Sequence, residues 1–326
     1  MTTYVLKSLD DIPALTDTAG TVGSYDGVHL GHRAMIARLR DEARARALSP
    51  VLITFHPHHR IFFRREHEPF LLTALDEKVE LLETTGVEAV LVLPFAERLA
   101  SMRAEQFVRE VLREQLGCRL FLVGHDQAIG ADQLRGVTDI RAVARRVGVE
   151  VASVTPVRED RVSVSSTWIR RLLRTGDVRT ASRLLGYHYF LTGEVVYGER
   201  RGRALGYPTA NLSIKEAFKL IPADGVYAAT AETAGGTLRG MLYIGRRPTF
   251  GDGPRMVEVF LLDWRADLYG RSVRVHLLER LRGDMTFRSS DELAEQIRLD
   301  ESHTRELFRR REENPMSALD KAMPSP

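Results

Sequence analysis

The stretch that decides the fold runs from Thr21 to His32 and reads Thr-Val-Gly-Ser-Tyr-Asp-Gly-Val-His-Leu-Gly-His. Apolar residues lead into Gly23, which predicts the end of a β-strand, and an amphipathic pattern that begins at Gly31 predicts a helix. His29 and His32 then lie at the N-terminus of this helix, where free backbone N–H groups and the helix dipole attract anions. Two imidazoles at that place can bind phosphate oxygens and stabilise negative charge on a phosphoryl group. We interpret the stretch as a phosphate-binding site; the alternative is a helix-start loop with two surface histidines.

The alternation of strands and helices around this stretch indicates the fold class. Buried-type strands are predicted at 50–55, 90–93, 120–123 and 149–157, and helices at 73–85, 104–116 and 140–147. The capping-box spacing of Thr73 to Asp76 predicts that Thr73 caps its helix. The pattern predicts a doubly wound, mostly parallel sheet, in which ligands bind beyond the carboxyl ends of the strands. The two histidines fall at that edge.

The segment 165–170 forms a second candidate anion site. Ser165, Ser166 and Thr167 stand at the start of a predicted helix that carries Arg170. Hydroxyl and N–H groups at a helix start, with a guanidinium one turn later, can hold a phosphate. By itself the segment would be an N-cap with a solvated arginine, but together with the histidine stretch we favour a shared triphosphate site. An RNA-binding arginine stripe is the weaker alternative, because interleaved aromatics are absent from it.

The composition is that of a globular protein with two domains. The chain has 326 residues, of which 44% are hydrophobic and 28% charged, and its net charge of +3 gives no support to nucleic-acid binding. Cys118 is the only cysteine, which excludes an internal disulfide and suits a reducing compartment. No apolar segment is long enough for a signal peptide or a membrane span. We therefore expect a cytoplasmic protein with small-molecule partners, neither nucleic acid nor membrane, and leave weak homo-oligomerisation open.

The character of the chain changes after about residue 186. Short strands are predicted at 193–197, 226–230, 238–244, 257–262 and 273–278, with a hairpin turn at Ala234-Gly235-Gly236. One long helix follows, from about Asp291 to Arg311. This pattern predicts a small closed barrel with a helix on its flank. We place the domain boundary near Gly186, which gives domains of residues 1–185 and 186–326.

Three stretches occur in a fixed order, namely Thr21–His32, Val164–Ala181 and Gly202–Leu212. Together they resemble the bifunctional prokaryotic FAD synthetases, and the resemblance covers nearly the whole chain. It implies an α/β protein: a Rossmann-like, doubly wound nucleotidyltransferase domain, then a six-stranded β-barrel riboflavin kinase domain and a terminal helix. The implied enzyme uses ATP and Mg²⁺ to phosphorylate riboflavin to FMN, and then transfers AMP from ATP to FMN to make FAD.

The resemblance assigns kinase roles to residues of the second domain. Thr209 and Asn211 would hold Mg²⁺ and the ATP phosphates, a role that suits their hard oxygen atoms. Glu258 would be the base that takes the proton of the terminal riboflavin hydroxyl, with Asp263 and Asp267 as rival carboxylates. Further implied positions are two phosphate-approach glycines and two flavin-end residues, namely Gly202, Gly206, Arg282 and Phe287. Tyr243 departs from the family, which usually has asparagine before Ile-Gly.

For the first domain the resemblance implies an intact ATP side and an altered flavin side. The ATP-binding residues would be Gly23, His29, Gly31, His32, Ser165, Ser166, Thr167 and Arg170, with both histidines catalytic. Phe63 and Asp126 would contact the flavin. Two aromatics that the family has after the fourth strand are replaced by Gln127 and Ile129, which removes stacking partners for the isoalloxazine ring.

Clustered histidines allow one other interpretation. His56, His58 and His59, completed by His67 or His125, could hold zinc, but they lie too close in sequence to surround one ion easily. We favour a remodelled acceptor pocket. The leading hypothesis is a bifunctional enzyme that makes FMN and then FAD. The alternatives are a riboflavin kinase whose first domain has lost FMN adenylylation or uses another acceptor, and a non-catalytic flavin-binding regulatory module.

Overall fold

The computed structural model describes residues 2–65, 67–124, 127–155, 157–159, 162–197, 207–233, 235–246, 255–264 and 268–313. Six residues named above lie outside the described residues, namely His125, Asp126, Gly202, Gly206, Ala234 and Asp267. The chain divides into two compact units, Met1–Ser166 and Thr167–Pro326. The functional boundary near Gly186 stays a prediction.

The first unit alternates strands and helices. Its described elements, in chain order, are β1 (Thr2–Val5), a 3-10 helix (Leu9–Asp11), β2 (Thr18–Val22), α1 (Leu30–Ala45), β3 (Ser49–His56), α2 (His59–Phe62), α3 (Leu75–Glu83), β4 (Ala89–Pro94), α4 (Glu97–Ser101), α5 (Ala104–Gln106), a π-helix (Phe107–Gln115), β5 (Cys118–Gly124), β6 (Ala128–Ile129), β7 (Leu134–Arg135), α6 (Val137–Arg146), β8 (Glu150–Val154), β9 (Arg158–Glu159) and β10 (Val162–Ser163).

Six strands form one parallel sheet with the order β1-β4-β3-β2-β5-β8. The chain builds outward from β2 through β3 to β4 and then returns to place β5 on the other side of β2. The strand order therefore reverses between β2 and β5, which is where open parallel sheets bind ligands. The predicted doubly wound sheet is confirmed. The edge strand β1 was not predicted, because its four residues are exposed or only half-buried.

Helices cover both faces of this sheet. Alternate residues of β3 enter two different cores: Val51 and Ile53 pack with the π-helix and α6, whereas Leu52 packs with α1 and α3. Strands that are buried on both faces read as continuous apolar runs, which is why these strands were visible in the sequence. The helix predicted at 104–116 is α5 continued by the π-helix, and its apolar face is buried.

The second unit contains a closed barrel. The described elements from Ser166 onward are α7 (Ser166–Thr175), α8 (Val178–Leu185), β11 (Phe190–Val196), β12 (Thr209–Ser213), β13 (Gly225–Thr233), β14 (Gly236–Gly245), β15 (Met256–Leu261), β16 (Ser272–Arg282) and α9 (Ser290–Glu313). The barrel order is β11-β12-β15-β14-β13-β16 with antiparallel pairs. α9 packs on β13, β14 and β16. The predicted six-stranded barrel with its terminal helix is confirmed; β12 was missed by periodicity because only one of its five residues is fully buried.

Candidate active sites

The first candidate site lies at the end of β2. His29 caps α1, and its Nδ1 accepts the N–H of His32 at 3.3 Å, so the proton of a neutral His29 ring resides on Nε2. The two imidazole rings stack with centroids 3.6 Å apart and planes 17° apart. Gly31 makes room for this stack, because a Cβ there would lie 3.1 Å from the His29 ring. The structure thus brings His29, Gly31 and His32 together at a helix N-terminus.

A buried carboxylate fixes the loop that carries the histidines. Asp26 is 2% exposed, and its Oδ1 accepts the N–H groups of Leu72 at 2.9 Å and Thr73 at 3.1 Å. The Thr73 hydroxyl also donates to Asp26 at 3.3 Å and accepts the N–H of Gly27 at 3.1 Å. The prediction that Thr73 caps α3 is wrong: the cap residue is Ala74, whose N–H donates at 2.8 Å to a carboxylate one turn later. The loop uses the threonine oxygen that the helix would have needed.

A buried lysine lies against the same loop. Lys78 of α3 is 7% exposed. Its Nζ donates to the carbonyl oxygens of Ser24 at 3.3 Å and Phe55 at 3.2 Å, and to the Thr54 hydroxyl at 3.1 Å. Burial lowers the pKa of Lys78 to about 8, and the charge of Asp26 opposes that change. Sequence reasoning missed both charged residues; the available signal was a lysine on the apolar face of a predicted helix.

The second predicted anion segment meets the first. The Ser166 hydroxyl, at the start of α7, donates to the backbone oxygen of Asp26 at 2.9 Å. Ser165 is half-buried and Thr167 is exposed. Arg170 is only 6% exposed, so the alternative of a solvated arginine does not hold. Ser166 therefore lies beside the histidine loop, as a shared phosphate site requires.

A cavity of about 670 Å³ opens at the carboxyl ends of the strands. It is lined by the ends of β2 and β3, by residues after β4 and by the segment after β5, and Gly23 is among its lining residues. Phe63, the predicted flavin contact, lines the cavity and is 44% exposed. Three arginines also line it, namely Arg60, Arg65 and Arg135. The cavity can take a ligand that joins an aromatic ring to a negative charge.

Gln127 and Ile129, which the resemblance marks as replacements of aromatic residues, have different surroundings. Gln127 accepts the N–H of Gly124 through Oε1 at 2.9 Å and donates from Nε2 to the carbonyl of Val22 at 2.8 Å. It therefore joins the ends of β5 and β2 where the strand order reverses. Ile129 is buried in the core.

Aromatic side chains from the end of β3 and from the segments after α2 and β4 also line the cavity. The ring of Phe95 lies edge-on to those of Phe55, Phe62 and Phe63, with centroids 5.6, 5.4 and 5.8 Å apart. The Arg65 guanidinium lies 5.1 Å from the Phe63 ring centroid. Edge-on clusters leave ring faces available for a further aromatic group.

The described histidines of the predicted zinc cluster, His56, His58, His59 and His67, do not form a metal site. The rings of His58 and His59 stack at 4.3 Å, and Nδ1 of His58 accepts the N–H of Arg60 at 3.2 Å. In the parts of the chain that the structure describes, no group of three His, Cys, Asp or Glu residues could hold a metal ion.

The candidate site of the second unit lies on neighbouring barrel strands. Thr209 of β12 donates its hydroxyl to Oε2 of Glu258 on β15 at 3.0 Å, and Asn211 pairs directly with Glu258. Because residues two apart on a strand share a face, these three half-buried side chains lie together. The rival Asp263 is exposed and makes two bonds of 2.9 Å to Arg305, which lower the pKa of Asp263 and make it a poor base.

One row of paired residues runs around the barrel through this site. Its register pairs are Val196–Asn211, Asn211–Glu258, Glu258–Tyr243, Tyr243–Val226 and Val226–Arg282. Neighbouring strands lie about 4.8 Å apart, so Glu258 and Arg282, three steps apart in the row, are about 14 Å apart along the barrel surface. A predicted metal ligand, the predicted base and a predicted flavin-end residue therefore stand in one line.

Arg282 also anchors the terminal helix. Its guanidinium bonds to both carboxylate oxygens of Asp300 in α9 at 2.8 to 3.0 Å, and lies 5.7 Å from the ring centroid of Phe287. Asp300 is 3% exposed, and Gln296 donates to it at 3.0 Å. The structure brings the two predicted flavin-end residues together and gives Arg282 a structural role that sequence reasoning missed.

These two folds and their sites define a two-domain transferase of phosphorus-containing groups. The FAD synthetase family matches residues 11–168, and the riboflavin kinase family matches residues 185–308. The chain belongs to the family of bifunctional riboflavin kinase/FMN adenylyltransferases. The sequence-based prediction of a bifunctional flavin-cofactor enzyme is confirmed, and ATP and flavin substrates fit both parts of the family.

Relatives with known names match over most of their length. The bifunctional riboflavin kinase/FMN adenylyltransferase of Escherichia coli (strain K12) is 36% identical over 289 residues, which cover 88% of this chain and 92% of that one. The corresponding protein of Bacillus subtilis (strain 168) is 33% identical over 301 residues, with 88% and 91% covered. A solved structure described as a macrolide-efflux protein from Streptococcus pneumoniae is 32% identical, with a TM-score of 0.84 over 94% of this chain and 99% of that chain. Among the described residues, no helix combines the length and apolar composition that a bilayer crossing requires.

Proposed function

We propose that residues 186–326 transfer the γ-phosphoryl group of ATP to the terminal hydroxyl of riboflavin, and that residues 1–185 then join AMP from ATP to FMN. The observation that carries the kinase assignment is the row that aligns Asn211, Glu258 and Arg282. Riboflavin has its parts in the matching order: a terminal hydroxyl, a polyol chain and a ring system. The span of about 14 Å from Glu258 to Arg282 is comparable with the length of that molecule.

The barrel offers oxygen atoms for a cation and a carboxylate for a proton. The side-chain oxygens of Thr209 and Asn211 suit Mg²⁺, which prefers hard oxygen ligands and, when bound, neutralises charge on the ATP phosphates. Glu258, which accepts the Thr209 hydroxyl, takes the proton of the riboflavin hydroxyl. The deprotonated hydroxyl oxygen of riboflavin then bonds to the γ-phosphorus, while the bond between that phosphorus and the ADP oxygen breaks.

The parallel-sheet unit offers hydrogen-bond donors for a triphosphate. These are the N–H groups at the start of α1, the His29 and His32 imidazoles and the Ser165–Thr167 segment. A phosphate oxygen of FMN bonds to the α-phosphorus of ATP, pyrophosphate leaves, and the donors stabilise the charge of the transition state. The ring of FMN fits the cluster around Phe95 with Phe63, and the three cavity arginines suit its phosphate.

Separate loss of the two activities tests these assignments. Glu258→Ala should reduce FMN formation by about 10²- to 10⁴-fold, the usual contribution of a general base, and leave the conversion of supplied FMN to FAD unchanged. His32→Ala should reduce FAD formation by about 10²- to 10³-fold and leave FMN formation unchanged. Glu295→Ala and His303→Ala, on exposed positions of α9, are matched controls that should retain both activities. If both activities fall together in either test variant, the two sites are not separate.

The replacements at Gln127 and Ile129 motivate one alternative, a riboflavin kinase whose first domain uses another acceptor. In the same assay the wild-type chain would then form FMN but no FAD, whereas a non-catalytic flavin-binding module would form neither. The ring cluster around Phe95 supports the bifunctional assignment, because it supplies the cavity with aromatic surface from another segment.

A further inference from the structure

Tyr243 stands next to Glu258 in the barrel row. Its hydroxyl donates to the Asp284 carboxylate at 3.2 Å. The Tyr243 ring packs against Gly245, where a Cβ would overlap the phenol oxygen. Burial and the neighbouring Asp284 carboxylate raise the pKa of Tyr243, so the phenol keeps its proton and remains a donor.

The partner of Tyr243 belongs to the turn of residues 283–289, which connects β16 to α9. Asp284 is exposed, and its Oδ1 also accepts the N–H of Met285 at 3.0 Å. The same turn carries Phe287, whose ring lies beside the Arg282 guanidinium. The Tyr243–Asp284 hydrogen bond therefore ties β14 to the turn that holds the ring end of the row.

We propose that Tyr243 is a positioning residue for the flavin acceptor, acting through Asp284 on the turn of residues 283–289. This inference rests on the proposed kinase function of the barrel. Tyr243 follows Glu258 by one strand spacing of about 4.8 Å, so a ligand whose hydroxyl reaches Glu258 passes Tyr243 before its ring reaches Phe287. Loss of the bond loosens the ring end of the site and leaves the groups that hold ATP in place.

The test separates the Michaelis constants of the two substrates. Tyr243→Phe should raise the KM for riboflavin about tenfold, the usual effect of losing a hydrogen bond to a charged group, with kcat and the KM for ATP unchanged. Asp284→Ala should give the same change, and the double variant should be no worse than either single variant. Asp284→Asn should restore the wild-type KM, because an amide oxygen still accepts from the phenol. Gly245→Ala should reproduce the Tyr243→Phe pattern by displacing the ring.

Tyr227→Phe is the matched control. Tyr227 lies on the neighbouring strand β13, and its hydroxyl donates to the carbonyl of Ala223 at 2.5 Å. Its removal should lower the melting temperature without changing the KM for riboflavin. Additive effects of Tyr243→Phe and Asp284→Ala, an unchanged KM for riboflavin, or an equal rise in the KM for ATP would each overturn the proposal.

Riboflavin binding, followed by quenching of flavin fluorescence without ATP, separates this inference from the kinase assignment. If the wild-type chain binds riboflavin but forms no FMN, the kinase assignment fails, while weaker binding by Tyr243→Phe still supports the positioning role and equal binding overturns it. If the wild-type chain does not bind riboflavin, both proposals fall.

Discussion

Lys78 provides a prediction whose size follows from its burial. The pKa of Lys78 falls from 10.5 in the unfolded chain to about 8 in the folded chain, so folding is less favourable while Lys78 is charged. At 1.36 kcal/mol per pKa unit this costs about 3 kcal/mol of stability while the lysine is protonated. Between pH 8 and 10.5 the unfolded chain binds more protons than the folded chain, so the free energy of unfolding rises with pH across that window.

Urea unfolding of the wild type and Lys78→Met at several pH values measures this contribution. The stability of the wild type relative to the variant should rise by about 3 kcal/mol from the low to the high end of the window, because groups common to both proteins cancel. Lys215→Met, at a lysine with an 82% exposed side chain, is the control and should show no such trend. Parallel stability curves for wild type and Lys78→Met would refute the reasoning.

The titration can also be observed directly, because the chain contains only five lysines. In lysine-labelled protein, one side-chain NMR signal should titrate near pH 8 and disappear in Lys78→Met. Asp26→Asn keeps an oxygen for the backbone N–H groups but removes the charge that favours protonated Lys78. It should therefore move the pKa of Lys78 below its wild-type value, and an unchanged titration would exclude this coupling.

Three further predictions concern the two sites. Gly31→Ala should reduce FAD formation about tenfold by displacing the His29 ring, with FMN formation unchanged, as coupled product assays can show. Asp300→Ala should lower the free energy of unfolding by about 3–5 kcal/mol in urea, because it leaves Arg282 without its buried partner. Asp263→Ala, which removes an exposed ion pair, is the control and should change that free energy little. Removal of divalent cations with a chelator should abolish FMN formation and be reversed by added Mg²⁺; FMN formation that persists would exclude the proposed metal role.

The sequence predicted those features that short segments determine. The histidine loop and the hydroxyl-rich helix start each lie within a few residues, and the buried strands are continuous apolar runs. The failures involve partners that are distant in sequence. Thr73 has the spacing of a capping box, but its hydroxyl bonds instead to Asp26 and Gly27, which lie 47 and 46 residues earlier. Likewise, no local pattern shows that Gln127 will bond to the carbonyl of Val22, 105 residues earlier.

The two phosphate sites that we propose differ in charge, and this difference explains where each site keeps its carboxylates. At the end of β2 the site offers N–H, imidazole and hydroxyl donors, which attract a phosphate directly. A carboxylate facing that site would repel the ligand, and the Asp26 side chain is instead buried and engaged by backbone N–H groups. In the barrel the Glu258 carboxylate lies beside Thr209 and Asn211, and its negative charge repels a phosphate unless a cation lies between them. A carboxylate base can therefore lie beside a polyphosphate in the barrel but not at the end of β2. In the barrel the proposed Mg²⁺ offsets the repulsion that Glu258 would otherwise cause.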